Sequence, residues 1–279
     1  MQLVRSVKEI FKKLVNTPFW PFVAIVASIQ QSLKFFTIVR IWRDHDGDWY
    51  NKRQGICLYS PTLNVDTLNE IEKRVKDFWL HNFDISKPKI LIDIGAGIGE
   101  ESLYLSKVIN LDAKLYAIEA HPRTYRCLKK TIDKNNIENV FPIHAAVTKE
   151  DTSILISSSS SEHLSNNIFQ STQSKTERVP GITLESLVKK LAINKVDFIK
   201  INIEGAEYDA LIGGLSIVQS NTHFVVSCHD FKYLEGQGKI FKTFDKTAKL
   251  FRDNNRDVYS RKDDYRREVP FYLYTNENN

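Results

Sequence analysis

Cysteine is scarce in this chain: Cys57, Cys127 and Cys228 are spread over 279 positions. They are too few and too scattered for a disulfide framework. No cysteine–histidine cluster has zinc-ligand spacing. Acids cluster near Val196–Ile203 as a divalent cation would want, but the amide of Asn202 among them weakens that case, and no metal is expected. A reducing, cytoplasmic setting is the simplest fit. Long hydrophobic runs are also missing. The segment Pro18–Ile29 is apolar, but Gln30, Gln31 and Lys34 interrupt it short of the ~20 residues that a bilayer-spanning helix takes. No small-x-small cleavage site follows it, which argues against a signal peptide. There is no internal repeat. Finally, the chain lacks a basic stripe beside its main body. The formal net charge is +5, and residues 1–45, with seven basic and two acidic side chains, carry all of it. Nucleic-acid enzymes carry positive charge beside the working domain, so nucleic acid is not an expected partner.

The most informative stretch is Ile90-Leu91-Ile92-Asp93-Ile94-Gly95-Ala96-Gly97-Ile98-Gly99, with Glu119 closing the next apolar run. A strand ends in a glycine turn, a helix opens, and a second strand delivers an acid to its tip. That layout builds a cofactor pocket at the carboxyl edge of a parallel sheet. Gly95 and Gly97 suit a tight turn and a close approach of ligand to backbone. Gly99 suits packing of the following helix on the strand. Glu119 suits the two hydroxyls of a ribose. A dinucleotide fingerprint wants a small residue where Glu100 stands, and a carboxylate there repels a pyrophosphate. A nicotinamide-dependent oxidoreductase is therefore disfavoured. Gly-x-Gly-x-Gly after an Asp instead resembles the first motif of class I S-adenosylmethionine (SAM) methyltransferases. Asp93 suits the cationic groups of SAM, directly or through water. Ala96, Ala120 and Ala146 complete the expected cofactor-binding set.

Three regions are expected. Residues 1–45 read as a basic, apolar helical arm, with an amphipathic helix over the first fifteen residues. This arm suits peripheral contact with a membrane surface through residues 1–40, or packing on the protein or a second subunit in a homo-oligomer. Residues 46–85 read as a connecting, substrate-side region, with a turn at Tyr50–Gly55 and a helix over Thr67–Asn82. Residues 86–279 read as the cofactor domain. Its expected strands are Ile90–Ile94, Lys114–Glu119, Val140–Val147, Val196–Ile203 and Phe224–Cys228, with a short extra strand at Thr152–Ile156. Pro122 opens a helix, and Thr183–Leu191, Tyr208–Val218 and Ile240–Phe251 read as helices. A flexible serine-rich loop, holding His163, runs to Lys175. An antiparallel pair, Asp257–Ser260 with Pro270–Tyr274, closes the chain. The expected fold is α/β: a mostly parallel seven-stranded sheet with helices on both faces, plus the N-terminal helical extension.

Three separated stretches resemble the FkbM family of SAM-dependent methyltransferases: Ile92–Ser102, Ala117–Pro122, and Thr183–Glu185 followed by Val196–Glu207. The resemblance covers roughly residues 87–230. It implies a Rossmann-like class I methyltransferase fold, SAM as donor, and a hydroxyl acceptor on a saccharide, glycolipid or related small molecule. Asn202 stands where the family usually has Asp. An amide neither takes a proton nor carries charge, so a degenerate, non-catalytic binding module is the alternative. Gly97 stands where relatives often have Asn, and Ser227-Cys228-His229 replaces Glu-x-His.

Methyl transfer to a hydroxyl needs alignment and removal of a proton. The candidates sit at the carboxyl ends of strands four and five. His229 is the expected general base by its intrinsic pKa, or an ordinary strand-end histidine. Glu204 suits the acceptor or the sulfonium side, or caps a helix. Glu207 assists, or stabilises that same helix. Lys200 and Asn202 share a face of strand four. A lysine inside an apolar strand needs a partner, and Glu119 and Glu204 are the candidates. His121 and His144 read as structural.

Overall fold

The computed structural model describes residues 14–157 and 176–275. The amphipathic helix expected at the start and the serine-rich loop with His163 fall mostly outside them. In the N-terminal part, helix α1 (Trp20–Phe35) packs on an antiparallel sheet of β1 (Val39–Arg43), β2 (Trp49–Arg53) and β3 (Ile56–Ser60), in that order. Two parts of the sequence reading change here. The last residues of the expected helical arm are strand β1. The expected turn at Tyr50–Gly55 narrows to Gln54-Gly55, both at positive φ, because Trp49 and Asn51 alternate inward as a strand requires. The edge strand β1 is capped by the helix: Ser32 and Ser28 Oγ accept the backbone N–H groups of Val39 and Ile41, each at 2.9 Å. Trp49, Ile41, Val39 and Ala24 fill the small core.

Helix α2 (Leu68–Arg74) opens with a capping box between Thr67 and Glu70 and runs on as a π turn, Val75–Trp79. The larger unit then follows in chain order as β4 (Ile90–Ile94), α3 (Glu100–Val108), β5 (Lys114–Glu119), α4 (Pro122–Lys134), β6 (Val140–His144), β7 (Ala146–Val147), β8 (Thr152–Ser157), β9 (Thr176–Ile182), α5 (Leu184–Lys190), β10 (Phe198–Ile201), α6 (Glu207–Ile212), β11 (His223–Ser227), α7 (Asp230–Leu234), α8 (Phe244–Asp253), β12 (Val258–Tyr259) and β13 (Tyr272–Thr275).

The central sheet has seven strands in the order β12-β13-β11-β10-β4-β5-β6. Only β13 runs against the others. This is the class I Rossmann-like arrangement. The strands carry near-continuous apolar runs because both faces are covered. One face packs Ile92, Ile94, Ile199 and Ile201 against α5, α6 and α8. The other packs Leu91, Leu115, Phe198 and Val225 against α2, α3 and α4. The strand order reverses between β4 and β10, and the crevice at such a switch point is where ligands bind in open α/β sheets.

The third expected strand breaks at Ala145, and its tail β7 joins a second sheet of order β7-β9-β8. Strand β9 is absent from the sequence reading. The helices expected to start at Thr67, Tyr208 and Ile240 are shorter or interrupted. Gly213 and Gly214 end α6, where a Cβ on Gly214 would meet the Glu185 backbone at 2.5 Å.

An ionic cluster binds the two parts. Asp48, wholly buried in the β1–β2 connection, accepts bonds from Arg126 (2.8 Å), Lys130 (2.9 Å) and Arg123 (3.1 Å) of α4. Burial opposes its ionisation, but these bonds prevail and hold its pKa down at about 2. Among the described residues, Asp44, His45 and Asp46 are the one acidic or histidine group close enough to share an ion. Both of its carboxylates face Lys130 Nζ.

Candidate active site

The glycine turn after β4 is pinned to the neighbouring strand, with the Gly95 and Ala96 N–H groups donating to the Ile118 carbonyl at 2.9 and 3.0 Å. Its three glycines do different work. Gly95, at φ +80°, lies against the next strand's exit: a Cβ there would fall 2.0 Å from the Asn202 carbonyl oxygen. Gly97, at φ +59°, faces open space. Gly99 lets α3 approach α4, since its Cβ would meet Leu128 at 2.7 Å.

Gly97 borders a cleft that opens to solvent. Gly95, Glu119, Ala120, Ala146, Asn202 and Glu204 also line it. Glu119 anchors one end. Its Oε2 accepts the Gly97 N–H at 2.9 Å and its Oε1 the His121 N–H at 2.8 Å. Each oxygen keeps a lone pair for a ligand. Burial pushes its pKa up to about 7, against the pull of those two backbone bonds. His121 caps α4, its Nδ1 accepting the Thr124 N–H.

At the other end Glu204 enters the cleft from a left-handed backbone position, φ +56°, followed by Gly205 at +102°. Non-glycine residues held at positive φ concentrate where function requires the geometry. Behind Glu204 lies a chain of charged groups. His229 Nε2 is 3.6 Å from Glu204 Oε2, and Lys232 Nζ pairs with the same oxygen. On its far side, His229 Nδ1 donates to Glu207 Oε1 at 2.7 Å. Glu207 is fully buried and is itself fixed by the Gly205 N–H (2.9 Å) and the Thr243 hydroxyl (3.0 Å). Because a carboxylate only accepts, the proton of the neutral imidazole lies on Nδ1 and Nε2 faces Glu204. Burial alone would lower the imidazole's pKa, but Glu207 outweighs it and raises His229 above the usual histidine range.

A family model described as the methyltransferase FkbM domain matches residues 93–258, from the end of β4 to the start of β12. That is more than half of the chain. The chain belongs to the FkbM methyltransferase family. No curated protein matches it. Solved structures that resemble it include fibrillarin from Aeropyrum pernix with natively bound SAM, 12% identical, covering 85% of this chain and 94% of that one at a TM-score of 0.45. An O-methyltransferase from Bacillus cereus in complex with SAH is 11% identical, with 76% and 91% covered and a TM-score of 0.46. A putative caffeoyl-CoA O-methyltransferase from Staphylococcus aureus is 13% identical, with 76% and 84% covered, also at 0.46.

Several of the expected site residues lie outside the cleft. Asp93 and Lys200 do not line the cleft. Parallel register sets them side by side on β4 and β10, both pointing to the face that carries Trp79. Lys200 Nζ lies 2.7 Å from Asp93, 3.0 Å from Glu101 and 4.8 Å from the Trp79 ring centre, and donates to the Gly95 carbonyl at 2.9 Å. The expected partners Glu119 and Glu204 are replaced by Asp93 and Glu101. Lys200 is a positioning residue that holds the glycine turn from behind. Ala96 and Gly99 likewise support the turn without lining the cleft. Glu100 turns away to Arg74 and Asn64, so its repulsion of a pyrophosphate has no force inside the cleft. His229 is buried one residue behind the lining. Lys232 was not expected at all. Its signal is spacing: it stands one helical turn after His229, on the short helix that leaves β11.

Proposed function

We propose that this protein transfers the methyl group of SAM to a hydroxyl of a saccharide, glycolipid or related small molecule. The observation that carries the reading is Glu119, a half-buried carboxylate at the second strand tip with one spare lone pair on each oxygen, beside a glycine whose missing side chain leaves room for a ligand. Those lone pairs suit the two ribose hydroxyls of the donor, and family membership supports the same cofactor. Bound there, SAM supplies an activated methyl group on a cationic sulfur. The chain's own contribution is alignment and proton handling. Glu204 is the carboxylate that an acceptor hydroxyl in the cleft would meet. It takes the hydroxyl proton and passes it to His229 Nε2. Glu207 makes His229 a stronger proton acceptor, and Lys232 balances the charge on Glu204. General-base assistance of this kind is worth roughly 10²–10⁴ in rate.

The test is transfer of labelled methyl from SAM into a pool of free and lipid-linked saccharides. Wild type should label an acceptor. Glu204→Gln should cut kcat at least ~10²-fold and leave SAM affinity intact. Unchanged kcat would remove Glu204 from the mechanism. A second reading, a non-catalytic binding module, is favoured by the amide of Asn202 in the cleft. It predicts SAM binding with no labelled acceptor from any pool.

A further inference from the structure

Helix α1 is inside-out for a surface helix. The side it packs on the small sheet carries Trp20, Val23, Ala24 and Ala27, and Ser28 and Ser32 bond the strand. The opposite side carries Phe22, Ile25, Ile29 and Leu33, at helical spacing, with Phe36 and Ile38 following. These six are between 50% and 98% exposed. Residues 19–38 hold half of the exposed large hydrophobic side chains among the described residues. A soluble surface helix has the reverse pattern, and contiguous apolar patches of this kind mark interaction surfaces. Phe36 sharpens the point. It ends the helix in a left-handed conformation, φ +48°, at 98% exposure. The fold alone favours glycine there, so nothing within the described molecule accounts for the phenyl ring.

The charge around the patch selects its partner. From Ile10 to Arg43 the sequence has no acidic residue, and Arg40, two positions past Ile38, is exposed, while Lys34 turns back towards Glu70. Residues 1–45 hold the whole positive excess of the chain. A second copy would bring two such basic arms together. An anionic lipid surface complements both the apolar stripe and the positive excess of the arm that carries it. No helix among the described residues is long and apolar enough to cross a membrane, and an in-plane arrangement needs none.

We propose that α1 docks in the surface of an anionic bilayer, with the Phe22–Leu33 face among the acyl chains and the positive excess of residues 1–45 drawn to the phosphates. This inference does not rest on the methyltransferase reading. The experiment is flotation of the full chain with vesicles of phosphatidylcholine, alone or with about one-third phosphatidylserine. Wild type should float with the anionic vesicles and less with the neutral ones. Ile25→Ser/Ile29→Ser/Leu33→Ser should lower the partition coefficient about a hundredfold. Lys12→Glu/Lys13→Glu/Arg40→Glu should lower it at least about tenfold on anionic vesicles only. Phe36→Gly should weaken binding while the melting temperature holds or rises, which separates docking from folding. Wild type that stays in the aqueous fraction overturns the proposal. So does a triple-serine variant that floats as well as wild type. A wild-type dimer that the triple variant converts to monomer in light scattering, with no vesicle binding by either, would assign the face to self-association instead.

Discussion

Gly95 and Gly97 flank Ala96 in the same turn, both at positive φ, yet the same substitution should break the fold at one and the ligand site at the other. An alanine Cβ at 95 would sit 2.0 Å from the Asn202 carbonyl oxygen and 2.9 Å from Ile203. Ordinary contact begins near 3.4 Å, and the offending atom is backbone at the exit of a central strand. The strand end would have to move by more than an ångström. Gly95→Ala should therefore cost more than about 4 kcal/mol, the range reserved for severe core disruption. At 97 the Cβ would meet nothing within 4 Å. The remaining cost is the left-handed backbone, about 1–2 kcal/mol. But that Cβ would occupy the cleft beside Glu119. Gly97→Ala should fold, melt a few degrees lower, and bind SAM at least tenfold more weakly, a loss of about 1.4 kcal/mol or more. Thermal unfolding by circular dichroism reads the first quantity and calorimetric titration the second. Wild-type SAM affinity in Gly97→Ala would refute the placement of the donor. A Gly95→Ala variant as stable as wild type would refute the packing argument.

Three further outcomes follow from the buried charges. Glu207→Gln removes the partner that raises His229, so the acidic limb of the pH–rate profile should shift to lower pH while kcat falls; His229 must be neutral to take a proton, and an unshifted limb would exclude it. Lys200→Met leaves Asp93 buried and uncompensated, with the Gly95 carbonyl unpaired, and should cost about 3–5 kcal/mol in urea unfolding; Lys200→Met/Asp93→Asn should recover much of that loss, and strict additivity would contradict the pairing. His223, stacked on Phe83 and packed beside Phe198, has no hydrogen-bond partner for either ring nitrogen among the described residues, and burial pushes its pKa down to about 4. The unfolded chain takes up a proton from about pH 6.5 downward and the folded chain does not, so stability should fall as pH drops from 6.5 towards 4, by about 3 kcal/mol in all. His223→Leu should flatten that slope, and an unchanged slope would assign acid lability elsewhere.

The elements legible in the sequence are those whose signal is local. The runs Ile90–Ile94 and Lys114–Glu119 are strands end to end, because buried parallel strands are apolar at nearly every position. Pro122 starts α4 as its missing N–H permits. Strand β9 escaped because Glu177, Arg178, Pro180 and Gly181 give it neither an apolar run nor a clean alternation, and its pairing with β8 and β7 supplies what the sequence lacks. In the site, Gly95, Gly97, Glu119 and Glu204 were legible because strand tips and turns are local. The partners of Lys200 were not. Alternation gives a face within one strand, but Asp93 lies 107 positions away, and register between strands is a tertiary fact. The same holds for Asp48, whose three cations come from a helix that begins far along the chain.

The central claim is that the cleft between Glu119 and Glu204 holds SAM. Calorimetric titration of SAM into the full chain, beside Glu119→Gln, tests it most directly. A single saturable site in wild type, weakened at least tenfold in the variant, is the result expected. Folded wild-type protein that gives no binding heat with SAM or S-adenosylhomocysteine would contradict it.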